Sequence, residues 1–243
     1  MDFFSTSEPI KQIVTSLQLT RSLYVSSIVI GEPYIGKKSL IKQIFPDIPM
    51  ISAKEPNEVE RLLQESDEII ITDFEHFPNP KSLQFEHKRI LATANRIANQ
   101  ELIDELFAFI YTMPPLRERP DDIRHLQTRY VQEACQVFDV DATGIDPKSI
   151  VLDLSQNTRS LRRSVYFGIA AQAMPTELIE AAIYHHAMRR LEGNNGYKEH
   201  IGLFERPLIK AGLDKYGSQL KLADVLGINR NTLRKKIREH DID

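Results

Sequence analysis

Two stretches of this chain have residue types and spacings that could do chemistry. Gly31-Glu-Pro-Tyr-Ile-Gly36-Lys37-Lys38 has the spacing GxxxxGK. Glycines in such a loop let backbone N–H groups turn inward around phosphate oxygens, and the lysine reaches the same oxygens. Pro33 and Tyr34 could instead stiffen or fill the loop. Asp73 ends the apolar run Glu68 to Thr72, where a carboxylate could help hold a phosphate-bound magnesium ion. The second stretch is Asn229 to Arg238, which gathers Arg230, Arg234, Lys235, Lys236 and Arg238 within about three helical turns. On a helix in a major groove, arginine and lysine reach guanine edges and phosphates. A solvated basic face on an ordinary helical unit is the plainer reading. The seven histidines are scattered and Cys135 is the single cysteine, so no metal site, disulfide framework or general base is expected.

The elements that must position these groups can be read from periodicity. Ile10, Ile13, Val14 and Leu17 predict an amphipathic helix. Leu23 to Ile30 reads as a buried strand, and residues 37–45 as the helix after the glycine loop. Pro49 to Ser52 is a short strand, Glu58 to Gln64 a helix, and Glu68 to Thr72 and Arg89 to Thr93 are further apolar strands. Strands separated by helices imply a parallel sheet covered on both faces. After Pro114-Pro115 only helices are expected: Asp121 to Phe138, Pro147 to Leu154, Ser160 to Ala173 and Pro175 to Leu191. Gly193-Asn194-Asn195-Gly196 reads as a linker. Beyond it lie helices at Lys198 to Tyr216, Gln219 to Leu226 and Asn229 to about Glu239.

The chain has 243 residues, 42% hydrophobic, with a formal net charge of -3, enough for a real core and incompatible with a uniformly basic coat. Charge is uneven: Tyr197 to Asp243 holds 10 Lys/Arg and 7 Asp/Glu, the rest 21 and 27. No apolar run approaches the ~20 residues of a membrane span and the start is not a signal peptide, so a cytoplasmic protein without membrane contact is expected.

Gly217 to Arg238 (GSQLKLADVLGINRNTLRKKIR) closely resembles the helix-turn-helix of the Fis protein and of the C-terminal domains of NtrC-type bacterial transcription activators. The resemblance implies double-stranded DNA with roughly two-fold symmetric sites as partner, bound by a homodimer formed through the C-terminal domain. It puts Arg230 and Lys235 at base-reading positions. Ser218, Gln219, Lys221, Asn229, Thr232 and Arg234 take phosphate-contacting or orienting positions, with Asn231 and Lys236 also on the DNA-binding segment. Leu203, Leu208, Ile209 and Leu213 are candidates for the dimer contact or for internal packing.

The body resembles the AAA+ domain of the same activators. Pro114 to Ile123 (PPLRERPDDI) carries the likeness most strongly; Arg89 to Asn95 (RILATAN) puts Asn95 at the sensor-one position, and Asn157 to Leu161 (NTRSL) puts Arg159 at sensor two. The implied fold is α/β: a reduced AAA+ P-loop domain with a parallel sheet and helical lid, followed by an all-α Fis-like helix-turn-helix domain. The divisions are 1–114 for the α/β subdomain, 115–192 for the lid, 193–197 for the linker and 198–243 for the DNA-binding domain. A receiver-like domain ahead of the body is not expected.

Departures from the family bear on mechanism. The GAFTGA loop that contacts a sigma factor is absent, and only 35 residues separate Lys37 from Asp73. Lys38 stands where a metal-side Ser/Thr is usual, with Ser39 one place late. Phe74 follows Asp73 where a catalytic glutamate is usual, and Glu75 is expected to point elsewhere. Ile103 and Phe109 take the places of two arginine fingers, whose loss can cost ~10³–10⁵ in rate. The expectation is therefore a DNA-binding transcriptional regulator with no catalytic residues and no required cofactor. ATP or ADP could still be held by Gly31, Gly36, Lys37, Lys38, Ser39, Asp73, Asn95 and Arg159, or these residues could be relics that hold turns. A nucleotide-responsive switch and a weak AAA+ ATPase are the alternatives.

Overall fold

The computed structural model describes residues 3–83, 86–97 and 99–242, and the chain divides into two compact units, Met1–Ala173 and Met174–Asp243. The first unit opens with α1 (Glu8–Leu23), β1 (Ser27–Ile30), α2 (Lys37–Ile44), β2 (Met50–Ser52), α3 (Pro56–Glu65) and β3 (Glu68–Thr72). It continues with β4 (Arg89–Ala94), α4 (Gln100–Leu106), β5 (Phe109–Thr112), α5 (Pro120–Phe138) and α6 (Asn157–Ala173). The strands form one sheet in the order β2-β3-β4-β1-β5, and every neighbouring pair is parallel.

Alternation along the strands builds a core on each face of this sheet. Ile69, Ile71, Ile28 and Ala92 pack with Val59 and Leu63 of α3. Ile70, Val29 and Leu91 pack on the other side with Ile10 and Leu17 of α1 and Leu40 and Ile41 of α2. The central strands are apolar throughout because both faces are covered. α5 and α6 form a third cluster around Leu116, Tyr130, Leu161, Val165 and Ile169.

Three expectations need correction. The run from Leu23 does not all belong to the first strand: the helical spacing of Ile13, Leu17 and Thr20 carries α1 through Leu23, Tyr24 turns left-handed (φ 53°), and pairing starts at Ser27. Phe109–Thr112 is a strand that periodicity did not announce. It is short, lies at the sheet edge, and places Ile110 opposite Ile28. Pro147 to Leu154 is not a helix. After a single turn at Pro147–Ser149 the chain runs extended, burying Ile150 and half-burying Leu152 and Leu154, a period of two rather than 3.6. Side chains of α6 take up its backbone: Ser164 Oγ accepts the Asp153 N–H at 3.1 Å, and Ser160 Oγ donates to the Asp153 carbonyl at 2.8 Å.

The second unit contains α7 (Thr176–Arg190), α8 (Gly196–His200), α9 (Gly202–Tyr216), α10 (Gln219–Leu226) and α11 (Arg230–Glu239). Thr176–Arg190 thus groups with the C-terminal helices, whereas the sequence reading ended the lid at residue 192. The stretch read as one helix from Lys198 divides at Ile201, and its second half carries Pro207 in its interior. Ile209, Leu222, Ala223 and Leu233 form the buried centre of α9, α10 and α11. Gly212 lies so close to Leu222 that a Cβ there would overlap its side chain.

Candidate functional site

The loop between β1 and α2 is shaped by backbone that side chains disfavour. Gly36, just before α2, has φ 102°, and Tyr34 is left-handed at 62°. Lys37 opens α2 and turns inward, only 6% exposed. Its ammonium donates to the carbonyls of Gly31 (2.6 Å) and Glu32 (2.7 Å) and to Asn95 Oδ1 (3.0 Å). These three acceptors are all neutral. Burial pushes the Lys37 pKa down to about 8, with the carboxylates of Glu75 and Asp73 pulling it back up. A buried ammonium held only by neutral acceptors can exchange them for phosphate oxygens, so Lys37 fits a nucleotide's phosphates.

Asn95, at the end of β4, joins this lysine to a carboxylate. Its Nδ2 donates to Glu75 Oε1 at 2.6 Å, and the Glu75 side chain is 3% exposed with Oε2 buried and unpartnered. The expectation that Glu75 points elsewhere is thereby overturned. Asp73 adopts φ 57° and starts a single helical turn, Phe74–His76, which swings Glu75 back into the site while Phe74 enters the core. The sequence carried no signal for that reversal.

Lys38 leaves the loop on another side and donates to Asp73 Oδ2 at 2.7 Å. Burial raises the Asp73 pKa, but the Lys38 hydrogen bond and charge, with help from Lys54, outweigh it and hold the carboxyl below its ordinary value. Magnesium takes oxygen donors in near-ideal octahedral geometry. Here the residue in the hydroxyl's place is a cation already seated on the carboxylate, so this donor set does not fit a divalent metal. Ser39 lies half-buried in the first turn of α2. Among the described residues, no cluster of three His, Cys, Asp or Glu could hold a metal ion.

The lid segment is fastened to the loop. Arg159 Nη1 donates to the Tyr34 hydroxyl at 2.8 Å, its guanidinium 5.1 Å from the Tyr34 ring centre. Thr158 donates twice to the Tyr34 carbonyl, and Asn157 Nδ2 to Glu32 Oε2 and the Pro33 carbonyl. Arg117 forms a two-bond fork on Glu32 at 3.0 and 2.7 Å, which with Asn157 holds Glu32 below the usual carboxylate range. Arg119 donates to the Ile35 carbonyl at 3.0 Å and pairs with buried Asp122, which in turn takes Ser5 Oγ and the Thr6 N–H. The segment Pro114 to Ile123 therefore braces the glycine loop from below. Of the two residues in the arginine-finger places, Ile103 is buried in the core and Phe109 lies on the edge strand.

In the second unit, Gly217 and Gly227 end α9 and α10 in left-handed conformation at φ 62° and 65°, as glycine permits. Ile228 N–H returns to the Ala223 carbonyl at 3.1 Å, and Asn229 Oδ1 caps α11 by accepting the Asn231 N–H at 2.8 Å. Leu233 faces inward, completely buried, with Ile237 beside it. Arg230, Asn231, Arg234, Lys235 and Arg238 consequently lie exposed on the outer side, with Thr232 exposed at its margin. Asn229, Ser218 and Lys221 are exposed and Gln219 half-buried around the start of α10 and the turn. Lys221 Nζ lies 5.5 Å from the Tyr216 ring centre.

Lys236 departs from the expected DNA-binding set. Its ammonium pairs with Glu205 of α9, which also accepts from His240 Nε2 at 3.0 Å. Lys236 thus ties α11 to α9 instead of facing outward with Arg230 and Lys235. Ile209 and Leu213 likewise point into the unit, whereas Leu203 and Leu208 are exposed. α7 buries none of its residues and exposes Leu178, Ile179, Ile183, Tyr184 and Met188. Among the described residues no helix is long and apolar enough to cross a membrane.

Comparison with known proteins bears on both units. Residues 201–240 match the model of the bacterial regulatory protein, Fis family. The DNA-binding transcriptional regulator NtrC of Rhizobium meliloti is 29% identical over 200 residues, covering 62% of this chain and 41% of that protein. NtrC of Azospirillum brasilense is 28% identical over 179 residues, covering 59% and 37%. The chain therefore spans less than half the length of these curated relatives. The crystal structure of NtrX from Brucella abortus in complex with ATP superimposes over 100% of this chain and 70% of its own, with TM-score 0.54 and 15% identity, a likeness of fold. With a five-stranded parallel sheet behind its phosphate-type loop and a Fis-type module at 201–240, the chain has the organisation of an NtrC-type regulator, an AAA+ domain followed by a C-terminal helix-turn-helix.

Proposed function

We propose that this protein is a sequence-specific, double-stranded DNA-binding transcriptional regulator that works as a homodimer in the cytoplasm. The observation that carries the reading is α11, which turns Arg230, Arg234 and Lys235 outward from a helix held by the Asn229 cap and by buried Leu233. Such a helix supplies base readout and phosphate neutralisation together. One module of this size makes few contacts, and two copies on a two-fold symmetric site double them. Selection of bound duplexes from a random pool tests this directly: two inverted half-sites are expected. Recovery of no enriched sequence, or of single half-sites, would sink it.

The body is proposed to hold ATP or ADP without efficient hydrolysis and to need no other cofactor. Lys37, Asn95 and the loop backbone support retention; Ile103 and Phe109 in the finger places, and a cation on Asp73, support the loss of turnover. Glu75 beside Asn95 means that a carboxylate remains in the site, which favours a weak ATPase as the second reading. With 35 residues between Lys37 and Asp73, taken up by α2, β2, α3 and β3, regulation is proposed to proceed without a GAFTGA-type sigma-factor contact. Phosphate release above background from purified protein, abolished by Glu75→Gln, would replace this reading with that of a weak ATPase.

A further inference from the structure

Two adjacent lysines of the glycine loop act in different directions. Lys37 is withdrawn among the Gly31 and Glu32 carbonyls and Asn95, while Lys38 reaches across to the end of β3 and binds Asp73 Oδ2 at 2.7 Å. Half of the Lys38 side chain is exposed, so its ammonium stands at the solvent side of the loop. A magnesium ion bound with phosphates uses carboxylate and phosphate oxygens and keeps several waters. Here one carboxylate oxygen already carries an ammonium, and the neighbouring residue offers a positive charge where a hydroxyl would offer a lone pair.

We propose that this loop takes the phosphates of a nucleoside di- or triphosphate without a divalent cation, the Lys38 ammonium supplying the countercharge at Asp73. The proposal rests on the nucleotide-holding reading above. A compact ammonium on a flexible four-carbon stem can follow a phosphate oxygen while remaining near Asp73, a freedom that a planar guanidinium would lack. Lys37, Lys38 and Arg159, which hydrogen-bonds Tyr34 of the same loop, bring three positive charges to it, against the carboxylates of Glu32, Asp73 and Glu75. A divalent ion seated on Asp73 would repel Lys38 at close range, so adding magnesium gains nothing.

Calorimetric titration of the full chain with ATP and with ADP, in excess magnesium and in EDTA, tests this. Wild type is expected to bind more weakly in excess magnesium, which chelates the free nucleotide, than in EDTA, whereas Lys38→Thr is expected to bind at least about tenfold more tightly with magnesium than in EDTA. Lys38→Met, which removes the ammonium and frees the Asp73 carboxylate without adding an oxygen, is expected to weaken binding in EDTA by about tenfold and to recover part of that loss with magnesium. A wild type that binds only with magnesium overturns the proposal and leaves the nucleotide reading standing. Equal behaviour of wild type and Lys38→Thr overturns the role given to Lys38. No binding under either condition, by protein with an intact thermal transition, overturns both. Manganese titration followed by electron paramagnetic resonance in the presence of ATP gives an independent reading, with protein-bound metal expected for Lys38→Thr and none for wild type.

Discussion

Lys37 carries an energetic burden that pH can reveal. Its folded pKa of about 8 lies below the ordinary 10.5 because burial disfavours the ammonium. Between those values the unfolded chain binds a proton that the folded chain has released, so stability rises with pH across that window. Below about 8 the cost of keeping the ammonium buried is borne in full. Lys37→Met removes the titrating group, and thermal melts at about pH 7 and about pH 10 should show a flatter profile for the variant than for wild type. Parallel profiles would mean that the lysine is not desolvated. At the other end of the chain the charges are exposed, and their worth depends on what they meet. Arg230→Ala should weaken specific DNA binding by about 1–3 kcal/mol and relax base preference at its position. Arg234→Ala should weaken binding evenly across sequences and lower the salt slope by about one per protomer, measured by fluorescence anisotropy over a salt series. Loss of affinity without change in specificity for Arg230→Ala would move it to the phosphate-contacting set.

At the scale of elements, α11 depends on very little core. Leu233 is fully buried among Ile209, Leu222 and Ala223, and these four are the completely enclosed apolar residues of the three-helix centre. Leu233→Ala should therefore cost about 2–5 kcal/mol, enough to lose the helical transition of this unit in circular dichroism well before that of the first unit. Much of this layout was legible in the sequence. The apolar spacing of α1, the strand runs of β3 and β4 and the Asn229 cap all express local preferences that tertiary contacts reinforce. What escaped was decided elsewhere. β5 has only an edge position to occupy, so its burial follows from β1 rather than from its own pattern. Residues 150–154 alternate as a strand does, yet find their hydrogen bonds on serines of α6 rather than in a sheet. Glu75 enters the site because Asp73 turns left-handed, and a backbone reversal of one residue leaves no compositional trace. Lys236 reads as one more cation of a basic run until Glu205, 31 positions away, is placed beside it.

For the whole molecule, the decisive quantity is the number of phosphates neutralised at once. A single chain offers only a few outward cations on α11, and affinity for DNA falls with salt in proportion to the phosphate contacts made. Two protomers held together roughly double that slope and read two half-sites in fixed spacing. The second unit has the surface for such a pairing: α7 leaves Leu178, Ile179, Ile183 and Met188 exposed, and α9 adds Leu203 and Leu208. Four large apolar side chains exposed on one helix, as on α7, are uncommon on a surface that stays in water. Sedimentation equilibrium should accordingly report a dimer for wild type. Ile183→Asp combined with Leu208→Asp should shift it to monomer while leaving the helical signal intact, because neither residue belongs to the buried centre. On a two-half-site duplex the monomeric variant should lose about half of the salt slope, and on a single half-site it should match wild type at concentrations where the dimer engages one half only. An unchanged slope in a proven monomer would show that each protomer binds alone, and the two-fold symmetry expected of the DNA site would lose its physical basis.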